Sequence, residues 1–192
     1  MMRPSNPALY AVTATIREHR DALVTEWAQW VSHRLAQAPH IRQPTVTRYL
    51  QLMVDVIIQL AGPLRRQATE LWFQACEAYG VAAAARGLAA GEVVEELQQL
   101  RELLIRHLSE TVALLPPRQS IAAVLRLNRV LDRGIAHTVV GYTDALVETL
   151  LNRRGVPIVA SEPAEDEIVQ RLEQLEEELA RLQERTTASP RR

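Results

Sequence analysis

There is no lysine among the 192 residues; all 22 basic side chains are arginine. Without a primary amine, the chain has no Schiff-base nucleophile, no P-loop lysine and no kinase lysine, so large enzyme classes fall away. A genome rich in G and C, which favours arginine, alanine and leucine codons, accounts for the bias. Cysteine is nearly absent too: Cys76 stands alone, which rules out an intramolecular disulfide and a cysteine zinc site and fits a reducing compartment. A single phenylalanine leaves little to clamp a haem face. With a net charge of -1 there is no global attraction to nucleic acid. No stretch approaches the ~18 uninterrupted apolar residues of a membrane span, and the first residues lack an apolar core with a cleavage site. A cytoplasmic protein without membrane insertion is therefore expected.

What is abundant is apolar surface at helical spacing. Hydrophobic residues make up 47% of the chain, enough for one domain plus an appendage. Leu9, Val12, Ile16, Leu23, Trp27 and Trp30 predict one long helix from Pro7 to about Leu35. Pro39 and Pro44 bracket a break. A second helix is expected from about Thr45 to Ala61, ended by Gly62 and Pro63, and a third from about Leu64 to Ala85. After a turn at Gly87, Val93, Leu97, Leu100, Leu104 and Leu108 line one face of a fourth helix, which Pro116 and Pro117 end. A fifth, to about Arg153, carries Ile121, Leu125, Leu131, Ile135, Val139, Leu146 and Leu150. No strand is predicted.

Residues 155–164 read as a linker rich in proline and small side chains. Beyond it, Ile168, Leu172, Leu175, Leu179 and Leu182 alternate steps of four and three, a heptad seam that predicts a parallel coiled coil over 165–186, with a disordered tail over 187–192. Barely three heptads are too few to hold by themselves, so the body of residues 1–154 is expected to dimerise as well.

Chemistry-bearing residues are scattered. His19, His33, His40, His107 and His137 form no i, i+4 pair and no HExxH motif, so no metal site is expected. Glu95, Glu96, Glu102 and Glu110 lack an ExxH partner. Ser109 and Ser120 lack a GxSxG elbow. No catalytic residue is assigned, no cofactor is expected, and the chain reads as a non-enzyme. One strip stands out: Gly134, Thr138, Gly141 and Ala145 leave a face of the fifth helix almost without side chains, bordered by His137 and Tyr142. It predicts either close helix packing, inside the body or across a dimer, or the wall of a small-ligand cavity.

The segment from Arg86 to Leu108 resembles the N-terminal sensory domain of the RsbT co-antagonist RsbRD family, a helical module of bacterial stress signalling. The resemblance is carried by Arg86 and Gly87 at the turn, Glu92 at the helix start, and the run through Glu96 to Leu100 and Arg101. A second match holds Asp132, Gly134 and Tyr142. The chain departs from the family at Leu88 and Val81, where members often carry an aromatic residue or histidine. The resemblance implies an all-α, five-helix globin-like bundle that forms a homodimer and relays conformational change through a C-terminal helix. With no room for a STAS or kinase module, the expected partner is a separate signalling protein of that kind, reached through the coiled coil. The alternative is a haem- or small-ligand-binding globin-like sensor using His107 or His137.

Overall fold

The computed structural model describes residues 7–35, 41–60, 65–152 and 162–188. These residues are all-α, with no strand among them. Seven helices follow one another: α1 Pro7–Glu18, α2 Arg20–Leu35, α3 Gln43–Gln59, α4 Arg65–Ala85, α5 Ala90–Ala113, α6 Pro117–Asn152 and α7 Glu162–Ala188.

The single first helix expected from the apolar spacing is broken at His19. Side-chain bonds to carbonyls gather just before the break. Thr13 and Thr15 hydroxyls donate to the Leu9 and Ala11 carbonyls, and the His19 ring Nδ1 lies 3.0 Å from the Thr15 carbonyl that the His19 backbone N–H also uses. Such back-bonding bends helices. Just past the break, Arg20 clamps Asp55 of α3 with two bonds, of 2.6 and 2.7 Å.

α3 is the central element. It starts with Pro44 in its first turn after an extended Arg42, and it buries side chains nearly all round, from Val46 and Leu50 to Met53, Val54 and Val56. That pattern belongs to a helix covered on several sides, and α1, α2, α4 and α7 all pack on α3. α4 contributes Trp72, Cys76 and Tyr79 to the same core, and burial pushes the Cys76 thiol well above its ordinary pKa.

α7 departs from the free zipper expected of it. Ile168, Leu172, Leu175, Leu179 and Leu182 are all buried within the chain's own core, where α7 lies against α3 and α4. The physical reason is that a heptad stripe needs only an apolar groove, and α3 and α4 provide one. Polar bonds fix the docking. Glu165 accepts from the Arg42 backbone N–H and side chain, Glu176 takes a two-bonded clamp from Arg48, and the Tyr49 hydroxyl donates to the Ile168 carbonyl. Of the expected linker, residues 155–161 lie outside the described residues, while 162–164 open α7. Of the expected tail, 187–188 close α7 and 189–192 lie outside.

The fifth-helix stripe also divides. Leu131 is buried, whereas Ile121, Leu125, Leu146 and Leu150 are between 41% and 63% exposed. α6 is thus apolar on two faces, one of which the body leaves uncovered.

Candidate functional site

The turn between α4 and α5 is built from its backbone upward. Gly87 has φ +77°, its N–H bonds the Ala84 carbonyl, and the Leu88 N–H reaches back to Ala83. This is a Schellman ending, with glycine in the left-handed position where a side chain would be strained. Leu88 then packs with Ala83, Val93 and Tyr142 in a small satellite cluster, and the Tyr142 hydroxyl donates to the Leu88 carbonyl at 2.7 Å. Glu92 folds back to accept the Ala89 N–H at 2.7 Å, half of a capping box.

This ending points Arg86 into the interior. Its side chain and that of Glu96 are both 1% exposed, and they meet at 2.5 Å. Tyr79 donates to the same Glu96 oxygen at 2.6 Å, and its ring lies 5.4 Å below the guanidinium. The Trp27 indole donates to the Glu96 backbone carbonyl. Burial and the adjacent Glu96 charge push the Tyr79 hydroxyl well above its ordinary pKa. Burial works against the Arg86 charge, but Tyr79 and Glu96 outweigh it and raise its pKa. Arg86 Nε and Nη1 and Glu96 Oε1 have no hydrogen-bond partner among the described residues. A carboxylate neutralised in this way, with no solvent access, is fitted to hold α4 to α5 rather than to move protons. Of the other residues in the segment, Leu100 is fully buried and Arg101 pairs with Asp132 of α6.

The small-residue strip on α6 packs against α4. A Cβ built on Gly141 would lie 2.1 Å from the Glu77 carbonyl oxygen, one on Gly80 would lie 2.1 Å from the Thr138 carbonyl oxygen, and one on Gly134 would meet the Trp72 ring at 2.5 Å. Gly134, Thr138 and Gly141 therefore face α4 of the same chain, with Ala145 half-buried farther along. Close packing within one chain accounts for this part of the strip. His137 at its edge lies 2.7 Å from Glu77 and stacks on Phe73 at 4.1 Å. His107 lies 3.0 Å from Glu26, with His19 beside it. Neither histidine lines the cavity between α1, α3, α4 and α6. No group of three metal-ligating side chains occurs among the described residues, and none of their helices is long and apolar enough to cross a membrane.

A different set of residues, missed in the sequence, surrounds a cavity of about 390 Å³ between α1, α3, α4 and α6. Val12, Ile16, Ile57 and Trp72 form part of an apolar floor. Arg65, Arg126, Arg129 and Arg133 stand around it. The steps of three and four between the last three put them on one face of α6, a signal legible in the sequence had the arginines been read by face.

Compared with family models, curated proteins and solved structures, the chain matches none.

Proposed function

We propose that this protein is a non-catalytic bacterial sensor or adaptor domain that acts as a homodimer and relays a conformational signal to a separate partner, a STAS-domain protein or a kinase. The observation that carries the reading is the uncovered face of α6. Ile121 and Leu125 near its start, and Val140, Leu146, Val147 and Leu150 near its end, are between 41% and 63% exposed. Val140, Leu146, Val147 and Leu150 form an outward apolar patch toward the end of α6, apart from Ile121 and Leu125, of which Leu125 borders a cavity of the body. Isolated exposed aliphatic residues are ordinary, but a cluster of four near the end of one helix is a surface suited to a second copy. The resemblance of the segment from Arg86 to Leu108 to the RsbRD sensory family points the same way.

α7 serves as the relay in this reading. Its heptad seam suits both the groove in which it lies and pairing with a like helix, so a signal that weakens its docking would expose the seam to a partner.

Sedimentation equilibrium of the full chain tests the proposal. The parent is expected to be a dimer at micromolar concentration, and Leu146→Glu/Leu150→Glu a folded monomer. A monomeric parent would overturn the dimer, and a double variant that still dimerises would move the contact away from α6.

A further inference from the structure

We propose that the cavity between α1, α3, α4 and α6 binds an amphiphilic anion, a linear alkyl chain ending in a carboxylate or phosphate. The inference lies within one chain and does not rest on the dimer reading.

Two features converge. First, the uncharged polar side chains in the walls are already satisfied by the protein. Thr13 and Thr69 hydroxyls donate to the Leu9 and Arg65 carbonyls, and the Trp72 indole donates to the Val130 carbonyl at 3.0 Å. The floor therefore asks for no polar partner and suits alkyl groups. Second, the surrounding charge is of one sign. Arg65, Arg126, Arg129 and Arg133 make no ion pair among the described residues, whereas Arg20, Arg48 and Arg101 all do. No acidic residue is among those lining the cavity. Burial, and then the like charge of Arg65, press the Arg126 guanidinium below its ordinary pKa. Unneutralised guanidinium groups beside a largely apolar space favour an anion whose remainder is apolar, because guanidinium matches carboxylate and phosphate with paired hydrogen bonds. The volume, about 390 Å³, is in the range of small-molecule sites.

Isothermal titration of the full chain with octanoate, decanoate, dodecanoate, dodecyl phosphate, 1-dodecanol and inorganic phosphate tests this. Saturable binding of one dodecanoate per chain is expected. Each added methylene should tighten binding by up to about fourfold, equal to ~0.8 kcal/mol, until the cavity is full. Dodecanol should bind at least about tenfold more weakly, and inorganic phosphate more weakly still. Whichever of dodecanoate and dodecyl phosphate binds more tightly identifies the headgroup. Arg126→Gln/Arg129→Gln should reduce dodecanoate to the level of dodecanol without lowering thermal stability, because the variant removes unpaired cations. Ala123→Phe should block binding by filling the space. Equal binding of dodecanoate and dodecanol, no binding of either, or dodecanoate binding unchanged in both variants would overturn the proposal. Binding only to phosphatidylglycerol vesicles, with no saturation by free dodecanoate, would replace it with a membrane surface.

Discussion

Arg86 shows how a residue can be singled out in a sequence and its task still be hidden. The pattern of arginine, glycine and a later glutamate was visible, but its meaning depends on the Schellman turn, which reverses the chain and brings position 86 opposite position 96. Tyr79 joins only because α4 presents it on the same side. The pair is buried and not fully satisfied, with orphaned atoms on both partners. Losing one half is therefore worse than losing both. Arg86→Met and Glu96→Leu are each expected to destabilise the chain by about 3–5 kcal/mol, because each strands a buried charge. The double variant should recover most of that loss. Urea unfolding of the three variants checks the cycle; additive losses would mean that the two side chains act independently.

At the scale of elements, most helix ends were legible because prolines and glycines mark them, as at Pro44, Gly87 and Pro117. The break at His19 was not, since the apolar spacing runs on through it. The heptad of α7 was also visible, but a stripe at steps of four and three cannot reveal whether a like helix or the body's own groove will cover it. Leu175 is fully buried in that groove. Leu175→Asp is accordingly expected to lower the midpoint of the whole chain's unfolding in one cooperative transition; two separated transitions would mark α7 as an independent appendage. The strip on α6 had two readings in the sequence, and the fit of α4 against it gives packing. Gly141→Ala should already cost about 1–3 kcal/mol, as overpacking does. Gly91, where an added Cβ meets nothing within 4 Å, is the matched control: Gly91→Ala should be neutral or stabilising in the same melts. Equal effects at the two sites would show that the α4–α6 contact is looser than its geometry.

For the whole molecule, both features that suggested dimerisation in the sequence are used inside one chain: the heptad seam by α3 and α4, and most of the small-residue strip by α4. What remains is the exposed apolar patch near the end of α6, where Leu146 and Leu150 belong to the stripe read on the fifth helix, because periodicity identifies an apolar face without saying what lies against it. Pairing of two copies through this exposed face has a thermodynamic consequence. If association through α6 stabilises the fold, unfolding releases two chains from each dimer, and each tenfold rise in protein concentration adds about 1.4 kcal/mol per dimer to the stability. For a chain of this length that corresponds to a rise in melting temperature of about 1–3 °C per tenfold. Leu146→Glu/Leu150→Glu, altering only exposed positions, should melt at a temperature independent of concentration and close to that of the dilute parent. A parent whose melting temperature is flat from about 1 to 100 μM would show that pairing adds nothing to folding. The exposed face of α6 would then be free for a different partner.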